Sequence, residues 1–485
     1  MDTHDVIVIG GGIVGVSIVR ELSRYELRVA LLEKEEELAF GVSKANSGIV
    51  HPGTQNPPHS LKGRLCVQGN RLTKAVCKKL GVEFKQVGEL VIAFNEQETE
   101  TLLRLKKEGE MLGVPRLEIV DSDWLRANEP NLNKEAVAAL YAPTAGVISP
   151  YRLVYALSEN AARNGVEIHT QTLVQSIVPL AAQGSNGESR FEISTSQGAF
   201  KARYLINAAG LFADEISRMV GVDDFRIRPR KGQEFLLDKK REHIANHVIF
   251  PLPTKTSKGI LIIKTSDGNP MVGPTAHDID DKGDLSTSED GFKEVFASAT
   301  KLIPSISPND VIAYFAGLRP AAGDDFIIRH EDKVPGFVNA AGIQSPGLTS
   351  ASAIAVFVSE LLKENGLYME RKAVFHDSEP THTHLFGLPS NKVKEAIEKD
   401  VSYGDIVCRC EMVSAKEVRD AIEHGARTLD GIKFRTRAQA GRCHGGFCTT
   451  RLMRILCEET KQSLTAVTKR GRGSEIVKED RSDTR

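Results

Sequence analysis

Two groups of residues in this sequence have the types and spacing that chemistry requires. The first is Gly10-x-Gly12-x-x-Gly15. Glycines without side chains let the backbone approach a pyrophosphate held at the positive N-terminus of the next helix, which opens at Ile13. Glu33 and its neighbour Lys34 stand about 20 residues further on, where a carboxylate accepts bonds from ribose hydroxyls. The motif predicts a bound dinucleotide, with a tight structural turn as the plain alternative. The second group is Cys408-x-Cys410 followed by Cys443-x4-Cys448. Thiolates in two such pairs suit a [2Fe-2S] cluster. Structural zinc prefers cysteines two to four residues apart, so the tight first pair weighs against zinc without removing it. Backbone amides around Gly441, Gly445 and Gly446 are placed to donate to the sulfurs.

The elements around the glycine motif must hold it in a strand-turn-helix frame. Asp5 to Ile9 is a β-branched run, Ile13 to Tyr25 has helical spacing, and Arg28 to Leu32 is a second buried strand ending at Glu33. This is a βαβ opening. FAD is favoured over NAD because two later segments complete a flavin site. Ala209 and Gly210 end the buried strand Tyr204 to Asn207. Gly342 to Gly347 opens a helix whose first turn holds Leu348 and Thr349, and whose positive end would stabilise a reduced flavin ring. A proline-started helix packed on the sheet is the alternative there. From about Arg228 to Thr300 the texture turns to strands and turns.

The predicted fold is therefore α/β: a Rossmann-like FAD-binding domain over 1–368 with a mostly antiparallel β substrate domain inserted at about 86–145 and 228–315. A linker over 369–403, holding His376, His382 and His384 as solvated residues, leads to a small α-rich iron–sulfur domain over 404–458. A charged tail, flexible or partner-facing, follows over 459–485.

With 485 residues, 41% hydrophobic and 26% charged, the chain has the composition of a globular protein of about three domains. Lys plus Arg number 63 and Asp plus Glu 64, a net charge of -1, which argues against a nucleic-acid binder. The N-terminus lacks the basic region of a secretory signal, and Val6 to Val19 is too short for a membrane span. The expected location is cytoplasmic, with any membrane contact made through partner subunits. Seven cysteines, five of them after residue 400, disfavour a disulfide framework.

Residues 1 to 365 resemble the FAD-dependent family that includes glycerol-3-phosphate dehydrogenases, L-2-hydroxyglutarate dehydrogenases and the glycine and D-amino-acid oxidases. The resemblance rests on the glycine motif, Ala45-Asn46-Ser47-Gly48-Ile49-Val50-His51-Pro52-Gly53, Arg230-Lys231-Gly232-Gln233-Glu234, Gly273-Pro274-Thr275 and Gly317-Leu318-Arg319-Pro320. It implies that Ser47, Gly48 and His51 lie beside the flavin. His51 is then the candidate general base, or a histidine that hydrogen-bonds the flavin. Arg319 is the candidate clamp for a carboxylate or phosphate, or the partner of Asp324 or Asp325 in a surface ion pair. Lys231 and Lys264 would supplement the positive pocket unless they are ordinary surface lysines. The segment Val407 to Cys448 resembles the bacterioferritin-associated-ferredoxin-type domain that ends anaerobic glycerol-3-phosphate dehydrogenase flavoprotein subunits. Together the resemblances imply a dehydrogenase that oxidises a small anionic secondary alcohol, sn-glycerol 3-phosphate first among them. Electrons would leave through a [2Fe-2S] cluster to an acceptor protein or a quinone-reducing partner in a hetero-oligomer. A dehydrogenase of L-2-hydroxyglutarate or another hydroxy or amino acid is the second reading. A non-catalytic flavin and iron–sulfur electron-transfer subunit is the third.

Overall fold

The computed structural model describes residues 3–180, 189–254, 258–378 and 384–478. Its first sheet has a parallel core in the order Ile327–His330, Phe337–Ala341, Gly198–Asn207, Thr3–Ile9, Val29–Leu32, Glu167–His169, with the first strand of that list antiparallel at the edge. Val6, Ile7 and Val8 are fully buried because both faces of the central strand are covered, which is why the sequence there is a continuous apolar run. Strands Val174–Pro179 and Phe191–Thr195 extend the sheet from Gly198–Asn207. The helices Ile13–Leu22, Pro150–Arg163, Leu61–Lys79 and Gly347–Glu364 bury their apolar stripes in one cluster against this sheet.

Among the described residues a second sheet has nine strands. Its longest pair, Arg228–Leu237 against Val311–Ala321, runs antiparallel with Glu234 opposite Phe315 and Arg230 opposite Arg319. The other strands come from 89–142 and 248–278, and one pair, Val248–Phe250 with Glu89–Ala93, is parallel. The insertion thus reaches Ala321, beyond the expected 315, and the stretch read as strands and turns also contains the helix Glu289–Leu302. That helix caps the sheet with Val295, Phe296 and Ala299 buried against Phe235.

The C-terminal unit is α-rich, with a short hairpin Ile406–Cys408 and Val413–Ser414 and helices Ala415–Glu423, Leu429–Thr436 and Thr449–Thr460. Ser414 and Glu417 form a reciprocal cap at the first of these helices. Cys457 packs against this small core, as its place on the apolar side of a helix predicts.

Two expectations about the ends of this unit need correction. The segment after 368 is strapped to the flavin domain: Tyr25 bridges Arg371, and Asp377 meets Arg20 and Arg24 at 3.1 and 3.3 Å and also Lys79. It also contains a helix, Ser390–Lys399. His376 is exposed while its carbonyl accepts from Asn160; His384 lies 3.4 Å from Glu417, and His382 falls outside the described residues. The tail likewise folds back, with Val467 fully buried and the Thr468 and Lys469 carbonyls accepting from Leu429 and Asp430. Its charged residues alternate with these anchors, which hid them from a reading by composition. Residues 479–485 lie outside the described set. Among the described residues, no helix is long and apolar enough to cross a membrane.

Candidate active site and cluster domain

A cavity of about 1430 Å³ opens at the C-terminal ends of the parallel strands, where Ile9, Leu32, Ala208 and Ala340 reach its wall. That is the place where open α/β sheets bind dinucleotides, and the volume exceeds the ~300–1,000 Å³ of a drug-sized pocket. Gly10 and Gly15 are dictated by the protein's own packing. A Cβ on Gly10, whose φ is +110°, would sit 2.4 Å from the Ala208 carbonyl oxygen, and one on Gly15 would sit 1.9 Å from that of Gly10. Gly12 differs: a Cβ there would meet only Ser43 Oγ, at 3.1 Å, so the space it leaves belongs to the cavity and to a ligand. Glu33 accepts from the amides of Gly11 at 2.6 Å and Glu35 at 2.9 Å, and burial pushes its carboxyl pKa up. The amide of Ile13 donates to Ser43 Oγ at 2.8 Å, fixing the loop across the cradle. These features fit the adenosine diphosphate half of FAD.

Gly10, Gly12, Ile13, Glu33, Lys34, Ser47, Gly48, Ala209, Gly210, Gly347 and Leu348 line the cavity. Gly15, Gly342 and Thr349 sit behind its wall. Thr349 is fully buried, accepts from the His51 amide at 2.9 Å and donates to the Ile49 carbonyl, so it braces the short strand Ile49–Val50 and the loop start that carries His51.

His51 lines the cavity with its Nδ1 3.4 Å from Glu89 Oε2. Glu89 is buried and takes bonds from Thr54 at 2.9 Å and Gln55 at 3.3 Å. Burial pushes the Glu89 carboxyl up, but His51, Lys258 and Thr54 outweigh it and leave the pKa below the ordinary carboxylate value. An ionised carboxylate only accepts, so Nδ1 carries the proton and Nε2 keeps a free lone pair. Burial, and next the charge of Lys258, hold the His51 pKa below its ordinary value, so the ring is neutral at pH 7. This is the state a general base needs.

Arg319 also lines the cavity. Its two terminal nitrogens share the Thr275 carbonyl at 3.3 Å each, long bonds that leave donor capacity for a ligand. The surface ion pair envisaged for it does not form: Asp325 instead accepts from the amides of Leu61 at 2.6 Å and Lys62 at 2.8 Å, and the Asp324 carbonyl takes Lys62 Nζ. Lys231 and Lys264 are not in the cavity wall. Strand alternation turns Lys231 away from Arg230, Gly232 and Glu234, and its Nζ binds Asp284 at 2.8 Å and Ser286 at 3.0 Å. Lys264 lies on the opposite face of its strand from Leu261, which does reach the cavity. Lys258 does line the cavity, with burial pushing its ammonium pKa down. Sequence reasoning missed Lys258 and Glu89, because a lone charged residue carries no spacing signal, and it gave Glu234 no role although the residue ends the stretch Arg230 to Glu234. Cys66 and Cys77 are buried thiols pushed up to about 12 by desolvation, which makes them unreactive.

The cluster-type domain closes the same cavity, contributing Lys433, Phe434, Arg437 and His444 to its wall. Glu37, buried in the loop after the second strand of the βαβ unit, accepts from the amide of Arg427 at 2.8 Å, from Thr428 Oγ1 at 3.2 Å and from Arg435 at 2.9 Å. Arg437 bridges Asp267 at 2.6 Å and Glu411 at 2.8 Å. The Arg435 guanidinium lies 3.7 Å over the Tyr155 ring. Glu37→Gln should weaken this docking by about 1.5–3 kcal/mol, the scale of hydrogen bonds to a charged group. Amide hydrogen exchange checks it: protection should fall across 427–437 while the core of the first sheet is unchanged.

The cysteines pair across the two motifs rather than within them. Cys410 Sγ lies 3.7 Å from Cys443 Sγ, and Cys408 is hydrogen-bonded to Cys448. The amides of Phe447, Gly445 and Gly446 donate to Cys443. A Cβ on Gly441 would meet Cys410 Cβ at 2.3 Å, so that glycine sets the approach of the two loops. Two facing thiol pairs with amide donors around them fit a [2Fe-2S] cluster.

Comparison with known proteins agrees with both halves. Residues 5–361 match the family described as FAD dependent oxidoreductase, and 406–458 match the BFD-like [2Fe-2S] binding domain. A glycerol 3-phosphate dehydrogenase of Caloramator mitchellensis is 40% identical over 476 residues, 98% of each chain. An L-2-hydroxyglutarate dehydrogenase of Escherichia coli K12 is 33% identical over 279 residues, 56% of this chain and 64% of that one. The dithionite-reduced L-alpha-glycerophosphate oxidase of Mycoplasma pneumoniae, solved with FAD bound, superposes with a TM-score of 0.73 at 32% identity, covering 78% of this chain and 99% of that one.

Proposed function

Because the chain belongs to the FAD-dependent oxidoreductase family, we propose that it oxidises sn-glycerol 3-phosphate to dihydroxyacetone phosphate and passes the electrons to an external acceptor. The observation that carries this reading is the placement of a neutral His51 in one cavity with Arg319, Lys258 and the dinucleotide cradle. The full-length similarity to a glycerol 3-phosphate dehydrogenase supports the choice of substrate.

The residues divide the work. Arg319 and Lys258 neutralise the phosphate, and the planar fork of Arg319 orients it. His51 Nε2 accepts the proton of the C2 hydroxyl, and Glu89 holds the ring in the required tautomer and balances the charge it gains. FAD, when bound, supplies the acceptor for the C2 hydride, and the cluster supplies one-electron carriage onward. The docked domain walls the cavity on the side of Phe434 and Arg437. Cys410 is exposed, and Phe447, next to Cys448, is 86% exposed. An electron-acceptor protein or a quinone-reducing partner subunit can approach the cluster there.

An anaerobic visible spectrum tests the reading. Glycerol 3-phosphate should bleach the flavin band of the purified protein. Bleaching by L-2-hydroxyglutarate alone would move the substrate to the hydroxy acids.

A further inference from the structure

The strand Arg228–Leu237 presents Arg230, Gly232, Glu234 and Leu236 to the cavity, while Gln233 and Phe235 turn to the opposite side. Glu234 is the unexpected member of this row. Its side chain is 3% exposed, yet its two oxygens are treated differently. Oε1 accepts from Ser47 Oγ at 2.7 Å, and Oε2 is buried with no hydrogen-bond partner. Room for the side chain depends on Gly273, where a Cβ would come within 3.2 Å of Glu234 Cγ. A buried polar atom left unpaired needs an explanation, and a ligand group absent from the protein itself is the natural one on a cavity wall.

The groups facing Glu234 are the Ser47 hydroxyl from the flavin-side loop and the Arg319 guanidinium from the paired strand. Arg230 in turn lowers the pKa of Arg319, and the charge of Arg319 lowers that of Lys258. On the reading above, the substrate brings a phosphate for the cations and one hydroxyl, on C2, for His51. Its remaining polar group is the terminal C1 hydroxyl. An L-2-hydroxy acid has a carboxylate at the corresponding carbon.

We propose that Glu234 is a specificity-determining residue whose free carboxyl oxygen hydrogen-bonds the terminal hydroxyl of a polyol phosphate and disfavours a substrate with a carboxylate at that position. A hydroxyl both donates and accepts, so it satisfies Oε2 whether Glu234 is ionised or protonated. A carboxylate only accepts, and beside an ionised Glu234 it is repelled. Burial pushes the Glu234 carboxyl up to about 7 despite Ser47 and Arg319, so the rejection sharpens above that pH.

The test crosses two substrates with two variants. Anaerobic flavin reduction is followed at about pH 8 with sn-glycerol 3-phosphate and with propane-1,2-diol 1-phosphate, which lacks the terminal hydroxyl. The wild type should favour the first by at least about tenfold in kcat/KM, the scale of one hydrogen bond to a charged group. Glu234→Ala should bring the two substrates within about twofold of each other. The near-isosteric Glu234→Gln should keep a preference for the hydroxyl while raising the rate with L-2-hydroxyglutarate relative to glycerol 3-phosphate. A merely structural role would slow both phosphates equally. An unchanged ratio in Glu234→Ala, or no preference in the wild type, overturns this assignment alone. A wild type that neither phosphate reduces overturns the substrate reading together with it.

Discussion

Replacement of His51 by Asn should lower the rate of anaerobic flavin reduction by about 10²–10⁴-fold, the usual contribution of a positioned general base. Asn keeps a polar side chain of similar reach toward Glu89 but cannot take the proton of the substrate hydroxyl. The amide of residue 51 would still donate to Thr349, and its carbonyl would still accept from Asn70 at 3.0 Å, so the loop should hold its course and FAD should be retained. Stopped-flow traces at 450 nm separate the outcomes: a slow rate at unchanged substrate affinity supports the base, and a rate within about threefold of wild type removes it. The pH dependence of the wild type adds a second check. The His51 pKa is lowered by burial, and Lys258 adds to the effect, so the base is fully available at pH 7. Activity should fall only as the pH drops below the ordinary histidine value of about 6.5. Glu89→Gln would leave His51 without its anionic partner, and the acid limb should move lower still.

Arg319→Ala should cost about 2–5 kcal/mol in kcat/KM, the range for truncating one partner of a buried, hydrogen-bonded charge pair. That corresponds to a loss of about 30- to 4,000-fold, because each 1.4 kcal/mol is tenfold. Arg319→Lys restores charge without the planar fork, so it should recover affinity more than rate. The loss is not confined to the substrate. Arg319 is the cation that favours ionised Glu234, and without it that carboxyl is pushed up further. Isothermal binding of an unreactive organophosphate at two pH values reads both effects, and unchanged binding in Arg319→Ala would take the anion clamp away from this residue.

Both predictions rest on residues that the sequence already singles out, and the reason is chemical. Gly10, Gly12 and Gly15 with Glu33 form a local motif, since a turn, a helix N-terminus and the next strand end lie within one βαβ unit. The cysteines are legible for the same kind of reason, because two short loops each carry a pair of thiols. His51 and Arg319 stand in short stretches that resemble those of a family. Lys231 and Lys264 show the limit of such reading. Each lies beside residues that do face the cavity, but a strand sends alternate side chains to opposite faces, and a shift of one position takes a side chain out of the site.

What the sequence determines by itself is the local chemistry: a dinucleotide cradle, a paired-cysteine module and the order of the strands and helices that carry them. Tertiary structure alone decides which distant residues meet. Glu89 meets His51 although its strand belongs to the second sheet and His51 follows a strand outside that sheet. Lys258 enters from a loop, and Glu234 gains an unpaired oxygen only because Ser47 and Gly273 pack around it. The pairing of Cys410 with Cys443, and the docking of the cluster domain through Glu37 and Arg437, join residues far apart in the chain. Burial and electrostatic coupling depend on such contacts, and no spacing along a chain encodes them.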